Sequence, residues 1–76
     1  MVKSEEFKVA MGEKLKAKRV EKGITQMQLA DMLGQDAEKN RGSIVRTWES
    51  GKSLPSIETL REISRIYGCL IDDLVP

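Results

Sequence analysis

One stretch of the chain carries polar side chains at the spacing of a single helical face. Ser43, Arg46 and Thr47 project to one side of a helix, whereas Val45 and Trp48, three residues apart, share the inward side. Hydroxyl and guanidinium groups displayed in this way can hydrogen-bond the base edges of a DNA major groove. The chemistry that this pattern offers is recognition by hydrogen bonds, and the alternative interpretation is a plain solvated helix face.

The composition argues against metal and nucleophile chemistry. The 76 residues include no His and a single Cys, which is poor material for a zinc site or a Cys/His pair. No set of acid, base and nucleophile is visible either, so an enzyme is the least expected class and we expect no catalytic residue, cofactor or metal. Cys69 stands among apolar residues and is interpreted as a small buried hydrophobe, with a redox sensor as the alternative.

Charge and hydropathy indicate which part of the chain could face DNA and in which compartment the protein is expected. The net charge is +1, but residues 1–52 carry 11 Lys/Arg against 8 Asp/Glu, and residues 53–76 carry 2 against 4. A surface that faces phosphates would thus belong to the first part. The N-terminus mixes charges with apolar residues, unlike a secretory signal, and no apolar run approaches a membrane span, so we expect a cytoplasmic protein.

The two elements before residue 35 are predicted as helices. The first extends from Ser4 to Lys22 and ends at Gly23, a natural residue for the position after a helix. The second follows Thr25, a capping residue type, and stops at Gly34. The first helix is expected to bury one face, formed by Phe7, Met11, Leu15 and Arg19.

Three further helices are predicted after a polar loop at residues 35–40. Helix 3 begins near Arg41 and closes at Gly51, and helix 4 lies between Ser56 and Gly68. The last residues make one packed turn, in which Ile71 and Leu74 close the core. The inner stripe of helix 4 is predicted to be Ile57, Leu60, Ile63, Ser64 and Tyr67. The fold class is all-α, with five helices around a single core.

The second and third helices match a helix-turn-helix, in which the second of the two reads base edges. Small helical bundles share that pattern, but the stretches ITQMQLADMLG, WESGKSLPSIETL and YGCLIDDL are more specific. Together they resemble the Xre/Cro/cI-type helix-turn-helix domain of phage repressors and bacterial regulators, a lambda-repressor-like fold. The resemblance covers residues 12–75, and it makes residues 12–76 the domain and residues 1–11 an extension of helix 1.

The resemblance implies roles for individual residues. Gln26 opens helix 2, where its side chain and backbone N–H would bind a phosphate; Arg41 matches a capping and phosphate-contacting position, and Lys52 a loop residue at the DNA backbone. Arg19 and Glu49 match a buried salt bridge between helices 1 and 3. The base-facing positions correspond to Gly42, Ser43, Ile44 and Thr47, with Arg46 beside them. For Ile44, partial burial is an equal alternative to contact with a thymine methyl.

Two departures from the family and one surplus of apolar residues need separate interpretation. The turn before helix 3 is about five residues longer than in relatives, and Leu70 stands where relatives often place a Ser or Asp cap. We predict a dimer interface at the C-terminal end from apolar residues that the core does not need, Ile66, Leu70 and Val75. The alternatives are packing of these residues against helix 1, or a contact through Phe7 and Met11.

The leading functional hypothesis is a sequence-specific transcriptional regulator that acts on double-stranded DNA. It is expected to be a repressor, bound to a palindromic operator as a homodimer with helix 3 in the major groove. An antitoxin would use the same DNA-binding surface for autoregulation and another surface for its toxin partner. A third hypothesis, favoured by the modest net charge, is a protein-interaction module that does not bind DNA.

Overall fold

A computed structural model describes residues 4–34 and 43–76 of the chain. They form four α-helices: α1 (Ser4–Glu21), α2 (Gln26–Met32), α3 (Ser43–Glu49) and α4 (Ile57–Tyr67). A 3-10 turn, η1 (Ile71–Asp73), follows α4. The all-α fold class is confirmed, and no strand occurs within the described residues. The predicted fifth helix is a single 3-10 turn, in which the N–H of Leu74 donates to the Ile71 carbonyl at 2.8 Å.

The predicted helix ends agree with the structure to within a residue where both can be compared. Thr25 caps α2: its Oγ1 accepts the N–H of Gln28 at 3.0 Å, and the Gln28 Oε1 accepts the N–H of Thr25 at 2.8 Å. Ser56 caps α4 by accepting the N–H of Thr59. The predicted polar loop at 35–40 and the start of helix 3 near Arg41 lie outside the described residues.

One core unites all the described elements, and α3 packs against both α1 and α2. Residues 4–11 belong to the same continuous helix as the residues that follow, so the extension reaches the core through Met11. None of the described helices has the length and apolar character that crossing a membrane requires. The buried residues are Met11, Leu15, Leu29, Ala30, Val45, Trp48, Leu60, Ile63, Tyr67 and Leu74.

Two predicted core residues are instead exposed. Ile57 is 65% exposed, because at 100° per residue it lies about 120° around α4 from the buried Ile63. Phe7 is 39% exposed because residues spaced by four drift about 40° around a helix at each step. The buried face of α1 is centred on Met11 and Leu15, and Phe7 is at its edge.

Candidate nucleic-acid interface

The backbone of α1 lies directly against the C-terminal end of α3 at Gly12. A Cβ atom placed on Gly12 would lie 2.6 Å from the carbonyl oxygens of both Trp48 and Glu49. Real Cβ atoms do not approach other atoms so closely, so only glycine allows the two helices to pack at this distance. Gly12, which is a weak helix former, is therefore required by the contact between α1 and α3.

The end of α3 is fixed by Gly51, whose φ of +85° favours glycine. Its N–H donates to the Trp48 carbonyl and the N–H of Lys52 donates to the Thr47 carbonyl, both at 3.2 Å. Val9 of α1 packs on this turn, since a Cβ on Gly51 would lie 2.8 Å from the Val9 Cγ2. The loop that carries Lys52 thus begins at a turn held against α1.

Glu49 is the centre of a polar cluster that joins three helices. Its carboxylate accepts from the Arg19 Nε at 2.6 Å and from the Arg19 Nη2 at 3.1 Å, a bidentate ion pair. The Gln26 Nε2, at the first residue of α2, donates to the same carboxylate at 3.1 Å, and the Arg19 Nη1 donates to the Ile24 carbonyl at 2.8 Å. The hydrogen bond to Glu49 raises the pKa of the Arg19 guanidinium above its usual value.

The Tyr67 side chain lies in the core with its hydroxyl buried. That hydroxyl has no hydrogen-bond partner among the described residues. Burial raises the pKa of Tyr67 well above its usual value, and the negative charge of Glu49 adds to the shift. The buried polar groups of this core therefore differ: the carboxylate of Glu49 is fully engaged, whereas the phenol of Tyr67 is not.

The outer face of α3 is exposed and polar. Ser43 and Arg46 are exposed, Thr47 is half-buried, and Lys52 is exposed just beyond the helix. The Thr47 Oγ1 donates to the Ser43 carbonyl at 2.9 Å. Arg46 makes no ion pair with another described residue. The hydrogen bond of Thr47 thus lies within α3 itself.

Comparisons with known proteins agree with this geometry. A family model described as helix-turn-helix matches residues 15–74. The chain belongs to this helix-turn-helix family. It is 38% identical over 63 residues to the HTH-type transcriptional activator BcrR of Enterococcus faecalis, a match that covers 83% of the chain and 28% of that relative. The chain thus spans less than a third of the relative's length.

Two solved structures resemble the whole fold. The crystal structure of the DNA-binding domain of BldD has a TM-score of 0.71 and 25% identity, and covers 93% of this chain and 96% of its own. The BldD DNA-binding domain of S. venezulae has a TM-score of 0.68 and 27% identity, and covers 93% of this chain and 99% of its own. The predicted resemblance to Xre/Cro/cI-type domains is confirmed at the level of the family.

The structure of this helix-turn-helix chain brings most of the predicted site residues to α3 and its ends. Ser43, Arg46 and Thr47 share the outer face, whereas Ile44 is partly buried and packs against the core. The amide nitrogen of the Gln26 side chain donates to Glu49, so this group points toward the protein. Gly42 and Arg41 lie outside the described residues. The Arg19 and Glu49 pair forms as the resemblance implies.

Sequence reasoning missed three contributors to this site. The close approach at Gly12, the hydrogen bond from Gln26 to Glu49 and the lone phenol of Tyr67 all depend on where helices far apart in the sequence meet. A glycine inside an otherwise unbroken helical pattern was the one available signal, because such a residue is costly unless it serves packing.

The C-terminal end is less apolar on its surface than predicted. Leu70 is 70% exposed, but Ile66 and Val75 are half-buried and pack against the core. The missing side-chain cap at Leu70 is replaced in part by Asp73, whose Oδ2 accepts the Leu70 N–H at 3.0 Å. Cys69 is partly buried there, and burial raises the pKa of its thiol. No cluster of three potential metal ligands occurs within the described residues.

Proposed function

We propose that this chain is a sequence-specific DNA-binding transcriptional regulator that places α3 in the major groove. The observation that carries the proposal is the contrast between the two sides of α3. Its inner side is fastened to α1 at Gly12 and to α2 through Glu49, whereas its outer face exposes Ser43 and Arg46, with Thr47 half-buried beside them. A rigidly mounted helix with exposed polar side chains suits base reading, since base contacts need fixed geometry.

Phosphate contacts flank this helix in the proposed complex. Lys52 is exposed directly after the fixed turn at Gly51, where its ammonium group can reach the DNA backbone. Gln26 is assigned to a phosphate mainly through its backbone N–H at the start of α2, because its side chain is shared with Glu49. Arg41 completes the set by resemblance. The relative named a transcriptional activator and the two structures of DNA-binding domains support the proposal that the chain binds DNA.

The finer part of the proposal is a homodimer on a palindromic operator. One short helix offers few base contacts, and two symmetric half-sites about 34 Å apart double them. Leu70 is the best residue for the centre of the dimer interface, because it is the most exposed large apolar side chain described, with Ile66 and Val75 at the margin. The alternative dimer interface, through Phe7 and Met11, is weaker because Met11 is buried in the core and only Phe7 is exposed.

Repression is the proposed outcome, exerted in the cytoplasm. Occupying an operator blocks transcription without any further contact, whereas activation needs an additional surface. The relative named an activator is a longer protein than the matched segment, so its mode of action does not carry over. A reporter under the selected operator would show lower expression on induction of the chain, and higher expression would contradict repression.

The dimer is tested by Leu70→Glu, with Ile57→Glu as the control at another exposed apolar position. We expect Leu70→Glu to give a folded monomer with much weaker operator binding, and Ile57→Glu to leave association unchanged. Analytical ultracentrifugation and circular dichroism measure the two properties. An intact dimer of the Leu70 variant would move the interface elsewhere, most simply to Phe7.

DNA binding itself is tested by selection from a random DNA library with the purified chain. We expect an enriched motif whose affinity falls steeply with salt, because phosphate contacts release counterions. Ser43→Ala, Thr47→Ala and Arg46→Ala should change the preferred sequence, and Arg61→Ala, an exposed arginine of α4, should not. Absence of salt-sensitive binding would favour the protein-interaction module instead.

A further inference from the structure

The hydroxyl groups along the outer side of α3 differ in how they are engaged. The Thr47 Oγ1 donates to the Ser43 carbonyl at 2.9 Å, and the Ser50 Oγ, just after the helix, donates to the Thr47 carbonyl at 3.0 Å. A hydroxyl has a single hydrogen to donate and two lone pairs to accept with. Once that hydrogen is committed to the backbone, the group can offer only its lone pairs to an incoming ligand.

Thr47 is therefore an acceptor that also carries a methyl group. Its hydroxyl hydrogen would become available only if the bond to the Ser43 carbonyl were broken, a change that forfeits a formed hydrogen bond. The side chain has few other choices, because a β-branched residue in a helix has restricted χ1 rotamers, and this bond selects one of those open to threonine. The acceptor state is thus built into the free protein before any DNA is bound.

Base edges differ in what they present to an acceptor in the major groove. Adenine offers the N6 amino group and cytosine the N4 amino group, whereas guanine offers O6 and thymine O4, both of them acceptors. An acceptor facing a carbonyl oxygen gains nothing and repels it. On the basis of the proposed function, we propose that Thr47 selects an amino base, adenine or cytosine, over a keto base at one position of each half-site.

The neighbours of Thr47 on the outer face do not share this restriction. Ser43 is exposed and a serine hydroxyl can donate or accept, whereas the guanidinium of Arg46 can only donate. Guanine, with two acceptors in the groove, is the base that Arg46 suits. Amino-base selection should therefore follow Thr47 alone, which makes it separable by substitution.

The test uses two variants that divide the chemistry of Thr47. Thr47→Val keeps the branched shape and a methyl but removes the acceptor, and Thr47→Ser keeps the hydroxyl but removes the methyl. DNA selection with both variants and the wild-type chain would identify the dependent position. Thr59→Val, which makes the same change on α4, is the matched control and should return the wild-type motif.

Base analogues then test the contact atom by atom. At the dependent position, adenine is replaced by purine, or cytosine by 2-pyrimidinone, each of which lacks the exocyclic amine. We expect the wild-type chain to lose about 3- to 10-fold in affinity, the range of one hydrogen bond, and Thr47→Val to lose less than about 2-fold. Thr47→Ser should respond as the wild type does.

Three outcomes would overturn the proposal. A keto base at the position that Thr47→Val relaxes would mean that Thr47 donates. An unchanged motif with Thr47→Val would mean that its oxygen reads no base. If the wild-type chain enriched no motif at all, the proposed function would fail together with the base preference, whereas the first two outcomes contradict the base preference alone.

Discussion

The inner and outer sides of α3 differ in whether their contacts are with other helices or within α3. On the inner side, Val45 and Trp48 are buried, Gly12 brings α1 into backbone contact, and Glu49 accepts hydrogen bonds from two other helices. On the outer side, one described hydrogen bond joins the Thr47 side chain to the backbone of α3 itself. The inner side fixes where the helix lies, and the outer side leaves its chemistry available.

This difference predicts that substitutions on the two sides of α3 should have different effects on stability and on DNA binding. Changes on the inner side should lower the free energy of unfolding and reduce DNA binding only through loss of folded protein. Changes on the outer side should alter affinity or sequence preference in a chain that remains fully folded. Each of the following predictions can break this division, and they run from the largest expected effect to the smallest.

Gly12→Val should have the largest effect. Inserting extra methyl groups in a packed core commonly costs about 1 to 3 kcal/mol, and here both obstructing atoms are backbone oxygens that cannot rotate away. We expect a loss of about 4 kcal/mol or more and no cooperative thermal transition by circular dichroism. Ala17→Val, at an exposed site of the same helix, should cost less than about 1 kcal/mol. A stable Gly12→Val chain would show that α1 and α3 can separate freely.

The second prediction compares two ion pairs that differ in burial. Side-chain exposure is 11% and 5% for Arg19 and Glu49, but 73% and 47% for Arg65 and Glu62. Arg19→Met leaves the Glu49 carboxylate buried without its main partner, which typically costs about 3 to 5 kcal/mol.

Arg65→Met breaks the exposed pair on α4 and should cost less than about 1 kcal/mol. Urea unfolding of both variants measures the difference. Equal losses would mean that Gln26 or solvent compensates the Glu49 charge, and the inner side would then be less tightly held than its geometry indicates.

Sequence patterns predicted the elements of this fold well because their ends carry local signals. Thr25 and Ser56 cap helices through contacts three residues away, and Gly23 and Gly68 adopt positive φ just after helices. Sequence patterns predicted burial less well where the orientation of a whole helix decides which residues face the core. Ile57 looked like a core residue by type and spacing, yet the rotation of α4 turns it to solvent.

The site itself was predictable only in part. Periodicity indicated the outward face of Ser43, Arg46 and Thr47, but their base-facing role and the ion pair came from resemblance to a family, because any amphipathic helix has a polar face. The bond between Gln26 and Glu49 joins residues 23 positions apart, so no local rule can reveal it. The same holds for the apolar excess predicted at the C-terminal end, since the packing of Ile66 and Val75 against the core depends on how the helices are arranged.

Lys52→Ala tests the DNA contacts beside the outer side of α3, and we expect a moderate loss of DNA affinity. Removing one phosphate contact should weaken binding to all sequences alike and flatten the slope of log affinity against log salt by about one unit. Arg61→Ala, which also removes one exposed positive charge, should leave the slope unchanged. Fluorescence anisotropy at several salt concentrations measures both. If the two variants gave equal slopes, Lys52 would not belong to the phosphate set.

The smallest effect is expected at Tyr67 of α4, which shares the core with Val45 and Trp48 of α3. The side chain is 1% exposed, and its hydroxyl has no hydrogen-bond partner among the described residues. Tyr67→Phe removes that hydroxyl while keeping the ring, so the free energy of unfolding should stay unchanged or rise by up to about 1 kcal/mol. A loss of more than about 1 kcal/mol would show that the phenol is hydrogen-bonded, for example to a buried water.

The pH dependence of the same variant gives an independent measurement. Burial raises the pKa of Tyr67 in the folded state, whereas in the unfolded chain a tyrosine ionises near its usual value of about 10. Above that pH the unfolded state holds fewer protons than the folded state, so the stabilising contribution of Tyr67 is present below about pH 10 and declines as the pH rises.

Lysines also titrate in this range, and Tyr67→Phe serves as the reference that removes their contribution. Between about pH 8 and pH 10.5 the wild-type chain should lose about 0.8 kcal/mol more than Tyr67→Phe in urea unfolding. Parallel curves for the two chains would mean that Tyr67 ionises as easily in the folded protein as in the unfolded one, and that the core around Tyr67 is open to water.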